Sequence, residues 1–591
     1  MKELSYPFDT EYLIKNRKKI KRELLAKHNL IEKNIAILGG STTSEIKNML
    51  EIFLLNYGIK PNFYESEYNK FYEDAIFRNE NLDKFNPDII YIHTTNRNII
   101  QYPTILDDID TINEILNNEY QKFEKIWTQL FNKFNAVIIQ NNFEYPYYRL
   151  LGNKDASDMH GRVNFITRLN QRFYDYANEN TNFFINDINY ISASYGLDKW
   201  SNQFYWYMYK YALEVPAIPY LSFNLANIIK SIYGKNKKVM VLDLDNTLWG
   251  GIVGEDGVEN LSIGSEVPSG QVYSEFQSYI KENKKLGIIL NINSKNEYET
   301  ALAGLNHPSN ILTPADFIII KANWNPKNLN INNISEELNL GTDSFVFVDD
   351  NSAERQIVEN YIDGISVPNI DIPENYIRII DHNGYFEMTN FSAEDLKKNE
   401  LYKDNAKRIQ MLATFDNYDD YLVSLKMKAE IETFKPIYLE RITQLINKSN
   451  QFNLTTKRYS LSDIEKIYND ENYIKLYGKL EDIFGDNGVI TVIIGNLKNS
   501  NELHIDLWIM CCRVLKRNME FAMLDILIKK SKEKNVKTIY GYYYPTLKNK
   551  MVSDFYNLQG FEEISCDNNG NKIYKLDISE YKNKNNIIEV N

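Results

Sequence analysis

Two carboxylates spaced two residues apart, Asp243 and Asp245, are the clearest candidates for chemistry in the chain. They stand in the segment DLDNT, at the end of an apolar, partly β-branched run that starts at Val239. Such a run is typical of a buried strand in a parallel sheet. Burying unpaired charge is costly, and Mg2+, which prefers oxygen ligands, is the simplest compensation. The segment predicts a metal-assisted phosphoryl site in which Asp243 attacks phosphorus and Asp245 moves protons.

Three further polar groups follow in an order that suits the same chemistry. Ser294 ends the apolar segment LGIILNINS, and Asp349 and Asp350 end the segment SFVFVDD. Lys327 lies a few residues beyond the apolar segment DFIIIKA. Ligands of open α/β sheets bind at the carboxyl ends of the strands, and phosphoryl transfer depends mainly on positioning and charge neutralisation. We therefore expect these groups to form one phosphoryl site.

This order resembles the four motifs of the haloacid dehalogenase (HAD) superfamily. The resemblance implies a Rossmann-like domain with catalytic residues Asp243, Asp245, Ser294 and Lys327. In it, Asp243 is the nucleophile, Asp245 the acid/base, Ser294 a hydrogen-bond partner of the phosphoryl group, and Lys327 its counter-charge. The resemblance also implies a Mg2+ site formed by Asp243, Asp245, Asp349 and Asp350.

The N-terminal part alternates strand-like and helix-like segments, which favours an α/β domain with a parallel sheet. Gly39, Gly40 and Ser41 follow its first strand, and Asn96 follows a later one. This pattern resembles the SGNH esterases, whose serine needs a histidine activated by a carboxylate near the end of the domain. No histidine occurs between Asn186 and Trp200. We expect a degenerate SGNH-like domain used for binding or docking, and a catalytic role of Ser41 stays open.

The C-terminal part has two long strands, a Gly-containing turn, a strand that runs into a helix, and the terminal segment FYNLQGF. This layout resembles the acetyltransferase-like (GNAT) fold, an α+β fold that binds the pantetheine arm by splaying two strands and places its pyrophosphate at a helix N-terminus. Lys516 stands where that loop usually has glycine. The candidate acyl- and pantetheine-binding residues are Cys512, Arg513, Val514, Arg517 and Tyr556.

Length and composition limit the remaining possibilities. A chain of 591 residues is too long for one core, and its net charge of −13 argues against nucleic-acid or anionic-membrane binding. Three cysteines and no apolar run of membrane-spanning length favour a cytoplasmic protein. The expected class is multidomain α/β, with domains at 1–234 (SGNH-like, with a helical leader), 235–388 (HAD-like), 389–425 (helical connector) and 426–591 (GNAT-like).

Taken together, eight segments of the chain resemble FkbH-like proteins, which belong to HAD subfamily IIIC and have a C-terminal GNAT-like domain. The segments are WGGIVGEDG, NSKN, ANWNPK, VFVDDN, NQFNLTTKRYS, FGDNG, CCRVLKR and YYPTLKN. The resemblance implies an enzyme that dephosphorylates D-1,3-bisphosphoglycerate and loads the glyceryl unit on the phosphopantetheine thiol of an acyl carrier protein, for polyketide or polysaccharide-type biosynthesis. The alternatives are a Mg2+-dependent phosphatase whose flanking domains only bind substrate or carrier, and a non-catalytic docking scaffold.

One position departs from the family pattern. Many FkbH-like proteins carry cysteine immediately before the motif serine, as a site for a thioester, and this chain has Asn293 there. An amide is no nucleophile, so an acyl-enzyme at this position is excluded. The acyl group then passes directly to the carrier thiol, or Cys512 accepts it, or the reaction differs. Cys512 is equally consistent with a small buried apolar residue.

Overall fold

The computed structural model describes residues 1–26, 30–391, 393–412, 414–449, 451–499, 501–546 and 548–590. Contacts within the chain divide it into two compact units. The first comprises Met1–Ile232 with Ser460–Asp463, and the second comprises Tyr233–Tyr459 with Ile464–Asn591. No described helix is both long and apolar enough to cross a membrane. The multidomain α/β class expected from the sequence is confirmed; the four domain boundaries stay a prediction.

The first unit is built on a five-stranded, all-parallel sheet in the order β2-β1-β3-β4-β5. Its strands are β1 (Ile31–Gly39), β2 (Ile59–Glu65), β3 (Ile89–His93), β4 (Val137–Asn141) and β5 (Phe183–Asn186). Its helices are α1 (Thr10–Leu25), α2 (Ser44–Asn56), α3 (Phe71–Ile76), α4 (Glu80–Phe85), α5 (Ile109–Lys133), α6 (Arg162–Glu179), α7 (Ile188–Tyr195), α8 (Leu197–Trp200), α9 (Gln203–Tyr209) and α10 (Ile218–Ile232). Strands β3 and β4 are buried throughout, as expected for the interior of a sheet covered on both faces, whereas the edge strand β2 is only partly buried.

The second unit begins with a four-stranded parallel sheet in the order β8-β7-β6-β9. Its strands are β6 (Val239–Leu242), β7 (Ile289–Ser294), β8 (Ile319–Ala322) and β9 (Phe345–Val348). The helices that follow are α11 (Val253–Asp256), α12 (Pro268–Lys285), α13 (Tyr298–Leu305), α14 (Lys327–Leu338), α15 (Ser352–Tyr361), α16 (Tyr376–His382), α17 (Ala393–Leu412) and α18 (Tyr418–Ser424). Because the four strands are parallel, the residues that follow them meet at one edge of the sheet.

The same unit continues into a mostly antiparallel sheet in the order β16-β17-β15-β14-β13-β12-β10-β18, with β11 paired to β14. Its strands are β10 (Lys428–Thr433), β11 (Phe452–Asn453), β12 (Tyr473–Asp482), β13 (Gly485–Asn499), β14 (Glu502–Met510), β15 (Thr538–Tyr543), β16 (Glu562–Cys566), β17 (Lys572–Asp577) and β18 (Glu589–Val590). Its helices are α19 (Leu439–Lys448), α20 (Leu461–Asn469), α21 (Met519–Glu533) and α22 (Phe555–Leu558).

Strands β14 and β15 are parallel and pair only from Glu502 to His504. Beyond His504 β14 continues to Met510 without β15, so the two strands part toward their carboxyl ends. This is the splayed pair that the GNAT-like resemblance implies. The short strand β11 fills the gap, because Phe452 and Asn453 pair with Met510 and Ile509 at the end of β14, just before the turn that carries Cys511 and Cys512.

Candidate active site

Three carboxylates converge at the carboxyl edge of the four-stranded sheet. Asp243 follows β6, and Asp349 and Asp350 follow its neighbour β9; the backbone N–H of Asp243 donates to the carbonyl of Val348 at 3.0 Å and fixes the two strand ends together. One oxygen of each carboxylate lies within 4.8 Å of the other two. Asp349 is fully buried and Asp243 nearly so. The edge predicted from the sequence therefore brings both acidic motifs into one group.

Lys327 is the cation that faces this group. It is the first residue of α14, and its Nζ lies 3.0 Å from Asp243 Oδ2 and 2.5 Å from Asp349 Oδ2, with the side chain 3% exposed. Burial acts to lower the pKa of Lys327, but the charges of Asp243 and Asp349 outweigh it and raise that pKa. The ammonium therefore stays charged and neutralises one of the three carboxylates.

The negative charge that Lys327 does not neutralise affects the pKa values of Asp349 and Asp350. Burial, and next the charge of Asp243, raise the pKa of Asp349 to about 7 in spite of Lys327. The same two causes raise the pKa of Asp350. Oxygen donors held this close, with more negative than positive charge, are the donor set that Mg2+ takes in proteins. The residues present fit that ion.

Asp245 lies outside this carboxylate group. Its Oδ1 accepts hydrogen bonds from Trp249 Nε1 and the Val253 backbone N–H, both at 3.0 Å, and its Oδ2 accepts one from Asn296 Nδ2 at 2.8 Å. Among the described residues, the cluster with metal-binding geometry consists of Asp243, Asp349 and Asp350 alone. The geometry thus does not support the predicted metal-ligand role of the Asp245 side chain, whereas a carboxylate fixed in orientation suits proton transfer.

Ser294 and Asn296 complete the polar edge at the end of β7. Ser294 is buried, and its Oγ accepts a hydrogen bond from Asn296 Nδ2 at 3.2 Å. Since the same Nδ2 contacts Asp245, one amide connects the serine and the proton-transfer candidate. Asn296 is not among the site residues predicted from the sequence. The feature of the sequence that could have identified it is its position two residues after Ser294, at the predicted strand end.

Asn293 holds the helix that carries Lys327. Its Nδ2 donates to the carbonyl of Lys327 at 2.9 Å, and its Oδ1 accepts from Asn330 Nδ2 at 3.0 Å, in a fully buried position. Both partners belong to the first turn of α14. Asn293 is therefore a positioning residue, with both polar atoms engaged in fixing the first turn of α14 and with it Lys327.

Three candidates of the C-terminal part lie in the interior of their domain. Arg517 Nη1 contacts the buried Asp482 at 3.0 Å, and Arg408 binds the same carboxylate with two nitrogens at 2.8 and 2.9 Å. Val514 and Tyr556 belong to the apolar core of this sheet. Their predicted role in pantetheine binding stays a prediction. Cys512 and Arg513 instead line a cavity, together with Cys511.

Ser41 lacks the partner that an esterase serine requires. Its hydroxyl is buried and has no hydrogen-bond partner among the residues that the structure describes. Asn98, rather than the predicted Asn96, reaches the glycine pair and donates to the carbonyl of Gly40 at 2.9 Å. Asn96 donates to Tyr145 at 3.5 Å. A serine without a hydrogen-bonded base is not activated for attack.

Comparison with known proteins finds two similarities that bear on these features. Residues 34–230 match the family model described as FkbH, N-terminal domain. The chain is also similar to a crystal structure from Bacteroides fragilis, the N-terminal part of the protein BF1531, containing a phosphatase domain complexed with Mg. The two are 28% identical with a TM-score of 0.59, over 64% of this chain and 99% of that one.

Two weaker findings complete the comparison. The ribosomal-protein-S18-alanine N-acetyltransferase of Escherichia coli is 15% identical over 26% of this chain and 96% of its own, with a TM-score of 0.21. No curated protein sequence matches the chain at a significant level.

Proposed function

We propose that this chain, an FkbH-like protein, is a Mg2+-dependent phosphatase whose reaction takes place at the carboxyl edge of its four-stranded sheet. The observation that carries the proposal is the group of Asp243, Asp349 and Asp350 around the ammonium of Lys327. The phosphatase domain with Mg described for the Bacteroides fragilis structure supports it, because that structure matches 64% of this chain. We expect the reaction in the cytoplasm, since the three cysteines are unpaired.

In the proposed reaction Asp243 attacks the phosphorus atom and the leaving oxygen departs with the bonding electrons. Lys327, 3.0 Å from Asp243, neutralises charge on the phosphoryl oxygens, and the Ser294 hydroxyl hydrogen-bonds one of them. Asp245 gives a proton to the leaving oxygen and then takes one from the water that hydrolyses the aspartyl phosphate. When bound, Mg2+ adds further charge neutralisation at the phosphoryl group.

The finer proposal concerns the acyl group. We propose that the substrate is D-1,3-bisphosphoglycerate and that the glyceryl unit is loaded on the phosphopantetheine thiol of an acyl carrier protein. The resemblance to FkbH-like proteins supports this role. The runner-up is the phosphatase without acyl transfer, which the replacement of the family cysteine by Asn293 favours.

Intact-protein mass spectrometry separates the two. A holo acyl carrier protein is incubated with the enzyme, Mg2+ and 1,3-bisphosphoglycerate, with the carrier lacking its phosphopantetheine arm as the matched control. Transfer predicts a glyceryl mass gain on the holo carrier alone. Phosphate release with no mass gain leaves the phosphatase, and neither product from a folded enzyme would contradict both.

A further inference from the structure

Asn296 connects two groups of the phosphoryl site without belonging to the carboxylate group. It lies in the turn between β7 and α13, two residues after Ser294, and is 4% exposed. Its Nδ2 carries two hydrogens, and each is donated to a different side chain. One goes to Asp245 Oδ2 at 2.8 Å and the other to Ser294 Oγ at 3.2 Å. A single amide nitrogen therefore joins the group that moves a proton to the group that contacts the phosphoryl oxygen.

The amide of Asn296 is explained by the site rather than by the local backbone. Asparagine in the turn before a helix often caps that helix through its side-chain oxygen. Here the N-cap of α13 is Glu297, whose side chain makes no capping bond, and Asn296 instead donates to two side chains of the sheet edge. Its NH2 rather than its carbonyl oxygen must face Asp245, because an ionised carboxylate accepts hydrogen bonds and donates none.

The Asp245 carboxylate is fixed through both of its oxygens. Oδ1 accepts from Trp249 Nε1 and from the Val253 N–H, both at 3.0 Å, so both of its lone pairs are used. Oδ2 accepts only from Asn296 among the described residues, which leaves one lone pair on that oxygen. A proton on its way to or from the substrate therefore has one position on Asp245, and Asn296 sets the direction of that position.

The Ser294 hydroxyl is oriented by the same amide. This buried hydroxyl accepts from Asn296 and donates to no acceptor within the described part of the chain. The amide nitrogen is a donor only, so the hydroxyl hydrogen points away from Asn296 and is left for a phosphoryl oxygen. Without the amide the hydroxyl rotates, and part of its contribution to the transition state is lost to that freedom.

We infer that Asn296 is a positioning residue that directs the proton of Asp245 and the hydroxyl of Ser294 toward one phosphoryl group. The inference deepens the proposed phosphatase reaction and rests on it. Asn296 forms no bond to phosphorus and transfers no proton, so its whole effect is carried by Asp245 and Ser294.

The two effects are separable, because they depend differently on the leaving group. Protonation by Asp245 matters most when the leaving oxygen is strongly basic, whereas the contact of Ser294 with the phosphoryl oxygen is the same for every leaving group. The later hydrolysis of the phosphate on Asp243 always needs the base, since the attacking water must lose a proton. Loss of Asn296 should therefore penalise basic leaving groups and the hydrolysis of the phosphorylated enzyme.

The test compares the full-length protein with Asn296→Ala on phenyl phosphate and p-nitrophenyl phosphate, in the presence of Mg2+. Phenolate is the more basic leaving group and needs the proton, whereas p-nitrophenolate departs without it. We expect kcat/KM to fall about 100-fold for phenyl phosphate and only about tenfold for p-nitrophenyl phosphate. Ser294→Ala is the matched control and should lower kcat/KM by the same factor for both esters.

A second measurement follows the phosphorylated enzyme. With p-nitrophenyl phosphate, Asn296→Ala should release about one p-nitrophenolate per enzyme in a rapid burst and then turn over slowly. Mass spectrometry of the acid-quenched protein should find the phosphoryl group on Asp243 in this variant, and much less of it in the unmodified protein. A change that only loosened the fold would slow both steps together and give no burst.

Asn296→Asp separates hydrogen-bond donation from size. It keeps the dimensions of the side chain but replaces the donor with an acceptor, and it should be no more active than Asn296→Ala. Asn306→Ala, at an exposed asparagine after α13, should behave as the unmodified protein. An equal loss for both esters, the absence of a burst, or near-normal activity of Asn296→Asp would overturn the inference and leave the phosphatase. Failure of the unmodified protein to hydrolyse either ester would instead remove the proposed function, and the inference with it.

Discussion

The two parallel sheets of the chain differ in how the polar residues at their carboxyl ends are paired. In the five-stranded sheet these residues satisfy one another: Asn141 Oδ1 accepts hydrogen bonds from Tyr91 at 2.9 Å and Asn186 at 2.8 Å, and its Nδ2 contacts His93 Nδ1 at 2.9 Å. In the four-stranded sheet three carboxylates face the single ammonium of Lys327. The first edge is held mainly by hydrogen bonds between neutral groups, although the Ser41 hydroxyl and His93 Nε2 have no hydrogen-bond partner among the described residues. The second edge retains charge that a substrate and a cation can use.

The difference teaches that topology alone does not make a site. Both sheets place buried strand ends side by side, where ligands of α/β folds bind. Amides and rings paired with each other have little left to offer a ligand, whereas converging like charges are stable only with a counter-ion. The comparison therefore predicts that substitutions at the edge of the four-stranded sheet have large effects on activity and that substitutions at the edge of the five-stranded sheet have small ones.

Asp243→Asn should have the largest effect. The amide cannot attack phosphorus, so we expect phosphate release to fall at least about 1,000-fold, which corresponds to about 4 kcal/mol in the barrier. The measurement is inorganic phosphate released from 1,3-bisphosphoglycerate in the presence of Mg2+. Asp363→Asn, at an exposed aspartate of the same domain, is the control and should keep full activity. A folded Asp243→Asn enzyme with normal turnover would show that the charged edge is not the reaction site.

Glu144, which follows β4, allows a test of the pairing of polar residues at the five-stranded sheet. Burial raises the pKa of Glu144 to about 7, and the opposing charge of Arg97 does not cancel the shift. The unfolded chain loses this proton near pH 4.5 and the folded one near 7, so stability falls as the pH rises between these values. Glu144→Gln removes the titration and should raise stability at pH 8 by about 3 kcal/mol, with no gain at pH 4.5.

The measurement is the apparent melting temperature of both proteins at the two pH values. Glu119 is the matched control, because it is a buried carboxylate of the same unit whose charge is met by Lys122 Nζ at 2.6 Å. Glu119→Gln breaks that pair and should lower stability at pH 8. If Glu144→Gln also lowered it, the carboxylate of Glu144 would be charged and stabilised by the Asn96 N–H and Arg97 rather than kept neutral by burial.

The sequence predicted the charged edge well and the cavity not at all. Asp243, Ser294 and Asp349 each stand at the end of an apolar run, and that local pattern fixes which sheet edge they share. The cavity joins Lys238, Tyr402 and Cys511, which are far apart along the chain. Only non-local packing brings such residues together, and no periodicity of a single segment reports it.

Two details of the predicted sites depend on contacts that the sequence does not report. The HAD-like resemblance implies Asp245 as a metal ligand, but the direction of its side chain depends on Trp249 and the amide of Val253. Likewise, Arg517 carries the charge expected of a phosphate ligand. Its partner Asp482 lies on a strand 35 residues earlier, and the sequence gave no sign of that pairing.

Asn293→Ala should have a moderate effect at the charged edge. It leaves the Lys327 carbonyl and Asn330 Nδ2 without the amide that joins them, and an unmade buried hydrogen bond costs about 1 to 3 kcal/mol. We expect a lower melting temperature and a roughly tenfold lower turnover, since Lys327 loses its fixed position. Asn306→Ala, at an exposed asparagine after α13, is the control. Unchanged turnover in a destabilised Asn293→Ala enzyme would limit Asn293 to a structural role.

Ser41→Ala should have the smallest effect. The Ser41 hydroxyl is buried without a hydrogen-bond partner among the described residues, so its removal breaks no pairing and leaves a very small gap. We expect unchanged phosphate release, unchanged carrier loading and a melting temperature within a degree or two of the wild type. Ser294→Ala is the matched comparison, because it removes the same hydroxyl from a buried strand end at the charged edge and should slow phosphate release. Loss of carrier loading in Ser41→Ala alone would mean that the neutral edge also takes part in acyl chemistry, and the contrast between the two sheets would fail.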